Sequence, residues 1–327
     1  MLDLDPQSNL TLYGLDDNRL QDIWVNEEKY VNEGFPTGSN TLNSGADDAL
    51  LASTRSVHFL LKPVEVGVDD YNKLPPPCEL FENLYLIPGS ITLSQFEGVL
   101  AERWVSPTEE NILSIRTMTQ FRTIAKRYSS EYEFDFVLAD VSPSLGLLNR
   151  AIITTSDAFF MPATPDLFSM YGIRNIGQSL RKWENSFKQI ASISQEGLRN
   201  LFPSECVKFL GYTIYNAKKR ADQKMELAGA HRNYAERIPK EVENWIPSNY
   251  VAGANITRIA QSIGGNAVWH THNTYPALAQ KYKCPIWHVP DATLEKDDKS
   301  TVTHNQQRFY ETRGAYFVFV DDLLSRM

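Results

Sequence analysis

Cysteine is scarce in this sequence. Three occur in 327 residues, Cys78, Cys206 and Cys284, far apart and without paired spacing. That excludes a disulfide framework and fits a reducing cytoplasm. Long apolar runs are missing too. The most apolar stretch, Leu145 to Pro165, is broken by Arg150, Asp157 and several hydroxyls, so no segment reads as a membrane span. The N-terminus, Met1-Leu2-Asp3-Leu4-Asp5-Pro6, is acidic and holds a proline, unlike a signal peptide. Internal repeats and low-complexity tracts are absent. Secreted, membrane and collagen-like classes are excluded.

What remains is ordinary globular composition, with 42% hydrophobic and 22% charged residues. The length suits one large domain or two of ordinary size. Charge is uneven within the overall −8. Residues 1–150 carry a net −12 and residues 151–327 a net +4. The window 217–240 by itself nets +4, through Lys218, Lys219, Arg220, Lys224, Arg232, Arg237 and Lys240. Such a segment suits nucleic acid or an acidic partner; a solvated helix face of mixed charge is the simpler reading.

Short apolar runs bounded by turn residues predict strands at Leu84–Ile87, Phe136–Ala139, Ala158–Met161 and Phe209–Tyr215. Runs apolar on both faces suggest buried parallel strands. Ser106-Pro107-Thr108-Glu109-Glu110 reads as a helix start, with a hydroxyl cap, a first-turn proline and acids that suit the dipole. That helix is expected to reach about Tyr128. A second is expected over Phe168–Ile190. Strand–helix alternation predicts an α/β fold, a mostly parallel open sheet with helices on both faces. Thr37–Asp48 and Val64–Pro77 read as loops. Towards the C-terminus the expectations are a strand near Ala267–Trp269, a helix around Tyr275–Lys283, an extended Pro285–Val289 and a loop at Asp291–Ser300. Gln306–Leu324 reads as a closing helix, with a strand over the aromatic, β-branched Ala315–Val320 as its alternative.

Three places look chemical. In Asp3-Leu4-Asp5-Pro6-Gln7-Ser8-Asn9, two carboxylates two residues apart on an extended segment share a face. At the C-terminal edge of a parallel strand they would lie where open α/β sheets bind ligands. Phe134-Asp135-Phe136-Val137-Leu138-Ala139-Asp140 is an apolar strand ending in Asp, the Walker B arrangement that holds Mg²⁺; many strands end in Asp simply because a turn follows. Val141-Ser142-Pro143-Ser144-Leu145-Gly146 then suits a loop that senses a phosphate.

In order, these segments resemble the ParA/MinD-type partition ATPases, deviant-Walker P-loop proteins. Asp3–Asn9 is similar to their D-x-D-P-Q-G-N segment, with Ser8 in place of the usual Gly. Phe134–Leu148 resembles Y-D-x-x-x-x-D-x-x-P-S-L-G, and Asn83–Ser90 a strand ending in I-P-x-S. Met161–Gly172 and Phe209–Asn216 resemble later strand ends. The likeness covers Met1 to about Asn216 and is looser beyond. It implies that Asp5 orients the attacking water, with Asp3 beside it, and that Asp140 holds Mg²⁺ through water. Pro143 to Gly146 would form the switch loop, and Asn216 and Pro239 would lie near the adenine. It further implies ATP and Mg²⁺ as cofactors, a homodimer, non-specific DNA binding through 217–240 and a ParB-like activator. Residues 1–245 are expected to form the ATPase core and 246–327 an extension packed on it.

One departure stands out. No G-x-x-x-x-G-K-[ST] occurs anywhere. The family places its phosphate loop about 25–35 residues before D-x-D, because a loop and a crossover helix must intervene. The sequence as given is therefore expected to lack the first strand, the loop and the first helix, a βα unit of about 30–50 residues. Its pocket would keep Asp3, Asp5 and Asp140 but not their cationic counterpart, so ATP binding is expected to be poor and the chain aggregation-prone. Either Met1 is an internal methionine or the chain is a degenerate, non-catalytic binding homologue; the intact motifs favour the first. An iron–sulfur carrier is disfavoured by the lack of C-x-x-C. His270, His272, Cys284 and His288 form only a weak zinc pattern, and Ser144 has no nucleophile partners. Tyr316, Phe317 and Phe319 read as core.

Overall fold

Leu2–Asp3 (β1) runs between two neighbours. On one side it pairs in parallel with Ala139–Asp140 (β4), Leu2 opposite Ala139 and Asp3 opposite Asp140. The Leu2 and Leu4 amides donate to Leu138 O and Asp140 O, each at 2.8 Å. On the other side Asp3 N donates to Ile87 O at 3.2 Å and Ile87 N to Met1 O at 2.9 Å. Leu2 and Leu4 are buried, which is why a two-residue strand suffices to anchor the segment.

The computed structural model describes residues 1–33, 50–104, 112–217, 229–251, 256–264, 268–270 and 274–327. They form two compact units, Met1–Thr155 with Ile190–Phe202, and Ser156–Gln189 with Pro203–Met327. The chain passes between them three times, after Thr155, Gln189 and Phe202. The Thr37–Asp48 loop and the Ser106–Glu110 helix start lie outside the described residues.

In the first unit, β1 is followed by Asn9–Gly14 (α1), Asp17–Glu33 (α2) and Val57–Val66 (α3). Then come the strands Cys78–Phe81 (β2) and Leu84–Leu86 (β3), the helices Ser94–Trp104 (α4) and Ile112–Tyr132 (α5), β4, and Leu147–Thr155 (α6). The core joins Leu2 and Leu4 to Phe59, Leu61, Phe96 and Phe121. Helix α3 shows how local rules are met. Ser56 caps its first turn by accepting from Phe59 N, and Gly67, at φ 83°, closes it in the left-handed region. Pro63 has no amide for Phe59 O; the Tyr71 hydroxyl supplies that donor at 3.3 Å.

The second unit begins with Ala158–Ala163 (β5) and Leu167–Ile193 (α7), of which the residues from Ile190 on belong to the first unit. Glu196–Arg199 (α8) belongs to the first unit. Lys208–Ala217 (β6), Gly229–Ala235 (α9), Ile238–Trp245 (α10), Ile256–Ile259 (α11), Val268–His270 (β7), Thr274–Lys281 (α12) and Lys296–Leu324 (α13) follow in the second. Its sheet is parallel throughout, in the order β5-β6-β7. Arg326 ties the chain end to it, donating to Leu210 O at 3.0 Å and to Asp322 at 2.7 Å.

The chain is thus α/β, with parallel strands alternating with helices, as expected. Several elements differ from their sequence reading. Leu84–Ile87 is not a parallel strand: β3 pairs antiparallel with β2, and only Ile87 bridges to Leu2 in parallel. The run Phe136–Ala139 is not buried on both faces. The strand is confined to Ala139–Asp140, and Phe136 and Leu138 are 54% and 55% exposed. The reason is visible in the sheet: among the described residues β4 pairs only with β1, so its outer edge and outer face have no cover. In the other unit β5 is, among the described residues, likewise paired on one side only. Val64 and its neighbours extend α3 rather than opening a loop. Ile286–Asp291 is a 3₁₀ turn, not extended chain, and α13 begins at Lys296, inside the expected loop. Ala315–Val320 is helical; Tyr316 and Phe317 are exposed rather than core, while Phe319 meets Phe160 at 5.7 Å.

Candidate functional site

The register of β1 against β4 brings three carboxylates to one sheet edge. Asp3 lies opposite Asp140, and Asp5 follows Asp3. Asp3 is fully buried. Its carboxylate accepts from Thr11 N at 2.8 Å, from the Thr11 hydroxyl at 2.5 Å and from Asp5 N at 3.3 Å. The Thr11 hydroxyl in turn accepts from Gly89 N at 2.7 Å. Asp3 therefore clamps α1 and the turn after β3 onto β1. Burial raises its pKa and Asp5 adds to the rise, against the lowering by the bonds from Thr11. Gly89 must be glycine, because a Cβ there would lie 2.8 Å from Asp3 Cγ.

Asp5 Oδ1 accepts from Gln7 N at 3.0 Å, which fixes the turn leading into α1. Ser8, where the resembling family has Gly, sits at φ 51° in the left-handed region. Its hydroxyl is fully buried and has no hydrogen-bond partner among the described residues.

Asp140 is pushed up to about 6, by burial first and then by the charges of Asp3 and Asp5. Desolvation is the larger cause, and the share from Asp3 and Asp5 is repulsion between like charges at one sheet edge. No three of the described His, Cys, Asp and Glu side chains gather to cage a metal directly. Asp5 and Asp140, two carboxylates at one edge, are the residues that would suit a hydrated Mg²⁺, which keeps most of its waters and takes one or two carboxylates.

The loop after β4 is pinned from beneath. Asn149 Nδ2 donates to Ser142 O at 2.5 Å and to Ser144 O at 2.6 Å, across Pro143. Glu97 on α4 accepts from Leu147 N at 2.9 Å, so a carboxylate caps the positive end of α6 immediately after Gly146. Thr11, Glu97 and Asn149 were missed by sequence reading. Only Asn149, in the first turn after a Pro-Ser-Leu-Gly segment, carried a local signal.

The other expected site residues belong to the second unit. Asn216 is the penultimate residue of β6 and Pro239 lies in the first turn of α10. Of the basic window, Lys218, Lys219, Arg220 and Lys224 lie outside the described residues; Arg237 and Lys240 are exposed. Of the zinc pattern, His272 lies outside the described residues. No described helix is long and apolar enough to cross a membrane.

A short parallel strand carrying D-x-D lies beside a strand ending in Asp, followed by a Pro- and Gly-bearing loop at a helix start, the order in which these segments resemble the ParA/MinD-type ATPases. Residues 1–193 match the AAA_31 family, an AAA domain, and the chain belongs to that family. Among solved structures it is similar to protein DIP2308 from Corynebacterium diphtheriae, at 21% identity over 76% of this chain and 78% of that one, with a TM-score of 0.54. It is also similar to an ATP complex of Cyanothece McdA, at 16% identity over 75% and 67% of the two chains, TM-score 0.44. Cobyrinic acid a,c-diamide synthase from Mycobacterium smegmatis with bound ADP and magnesium matches at 17% identity over 88% and 80%, TM-score 0.39. No curated protein matches the sequence.

Proposed function

We propose that this chain carries the magnesium and water-activating half of a ParA-like partition ATPase site, serving ATP-dependent DNA or plasmid segregation. The observation that carries the reading is the edge shared by Asp5 and Asp140, with Asp140 raised to about 6 by burial and by Asp3 and Asp5. Asp140 would hold Mg²⁺ through water, and the ion would supply charge neutralisation for a phosphate group. Asp5 is the residue for orienting water. Pro143 and Gly146 bound the loop that would respond to the nucleotide.

The residues fit the cation but not the triphosphate. The described edge offers carboxylates, and no Gly-rich loop with its Lys occurs in the sequence. Calorimetric titration is expected to show saturable Mg²⁺ or Mn²⁺ binding that Asp140→Asn abolishes, and only weak Mg-ATP binding. No Mg²⁺ effect at all would remove the reading, and micromolar Mg-ATP affinity would remove its second part. Such nucleotide-free weakness leaves a second role open, a non-catalytic DNA-binding homologue acting through 217–240, whose net +4 supports it. Its test is salt-dependent DNA binding without ATP, lost when Lys218, Lys219 and Arg220 become Ala.

A further inference from the structure

Helix α13 is 29 residues long, yet its second half presents apolar residues to solvent. Tyr310, Gly314, Phe317 and Leu324 follow one another at steps of four, three and seven, which puts them on one stripe of about 21 Å at helical rise. Tyr310, Phe317 and Leu324 are 38%, 55% and 45% exposed. Arg313 and Asp321 lie beside the stripe, four residues either side of Phe317. Arg313 stands over the Phe317 ring at 5.4 Å. Among the described residues neither Arg313 nor Asp321 has a side-chain ion pair.

Gly314 is the second observation. A glycine in a helix interior weakens the helix relative to alanine. Here, beyond its chain neighbours and the backbone of its own helix, nothing lies within 4 Å of where its Cβ would stand. The chain's own packing therefore gives no reason for a glycine. A helix of another molecule, approaching closely at this point, does.

We propose that this stripe is a docking face for a second copy of this chain, the two α13 helices crossing antiparallel about a two-fold axis near Phe317. The charges choose copy and direction. An antiparallel crossing centred on residue 317 sets Arg313 against Asp321 of the partner subunit, and does so twice by symmetry. An in-register parallel pair would set like charge against like. Tyr310 meets Leu324 of the partner subunit, the Phe317 rings meet at the axis, and Gly314 admits the close approach. The contact is independent of nucleotide and of the reading above. A single helix pair is smaller than a standard stable interface, so association is of micromolar strength.

Sedimentation velocity of the full chain, without nucleotide and over a concentration series, tests it. The expected result is a reversible monomer–dimer equilibrium. Phe317→Glu and Arg313→Asp each weaken it by roughly tenfold or more. The double variant Arg313→Asp/Asp321→Arg restores it. All three positions face solvent, so unchanged far-UV circular dichroism and melting midpoint are required of every variant. A monomer at all concentrations, a dimer indifferent to Phe317→Glu, or a charge swap that fails to restore association would each overturn the proposal. So would monomers that bind lipid vesicles through Phe317 without pairing.

Discussion

Glu27 is a residue whose titration ties the stability of the first unit to pH. It lies on α2, 2% exposed, and accepts from Ser56 N at 2.9 Å, at the start of α3. Burial raises its pKa to about 7, against the lowering by Ser56 and Arg55. The folded state therefore holds this proton more tightly than the unfolded chain does. Its contribution is fully present below about 4.5 and is lost as pH rises through about 7, a change on the order of 3 kcal/mol. Urea melts at pH 5 and pH 8 should show that slope, and Glu27→Gln, which keeps an acceptor for Ser56 N, should flatten it. Asp3 offers a second case. Asp3→Asn turns amide hydrogens towards Thr11 and Asp5 N, all of which donate to position 3. A loss of about 1–3 kcal/mol in unfolding free energy is expected, independent of any ligand. The D-x-D motif was legible as a pair of carboxylates. That one of them is a buried clamp was not, because its partners, Thr11 and through it Gly89, are assembled by folding.

Between residues and the whole lies the loop–helix element from Ser142 to Thr155. Its geometry depends on a cap from α4, fifty residues earlier in the chain, so it carried no sequence signal. Glu97→Ala removes the acceptor for Leu147 N and the negative charge at the helix start. Hydrogen exchange at Leu147 and its neighbours should accelerate, with about 1 kcal/mol of stability lost. Long amphipathic helices such as α7 were legible from spacing, and its observed span, Leu167–Ile193, contains the expected one. Ala315–Val320 shows the limit of propensity. Its aromatic and β-branched residues suit a strand, yet the helix that begins at Lys296 continues through them. Tertiary anchors at both ends, Phe309 in the core and Arg326 on β6, decide the matter.

The whole molecule is marked by edges. Among the described residues, β4 ends a two-stranded parallel sheet in the first unit with Phe136 and Leu138 exposed beside it, and β5 ends a three-stranded one in the second. Unpaired parallel edges with apolar flanks are templates for association. Phe136→Lys is therefore expected to raise the onset temperature of light scattering on heating while leaving the unfolding free energy within about 0.5 kcal/mol of the parent. An unchanged onset would show that aggregation starts elsewhere.

The sequence by itself determined the α/β class, the order of the motifs and the family, because apolar runs, caps and short acidic motifs are local in the chain. It also showed which cation-binding and acidic residue types were present and that no phosphate-loop pattern accompanied them. Only the tertiary structure decided that Asp3 serves as a clamp, that Glu97 and Asn149 hold the loop after β4, and that Tyr316 and Phe317 of α13 face solvent while Phe309 enters the core. Those outcomes depend on which distant groups meet and which surfaces are left without a neighbour, and burial and pairing across the chain are properties no local pattern encodes.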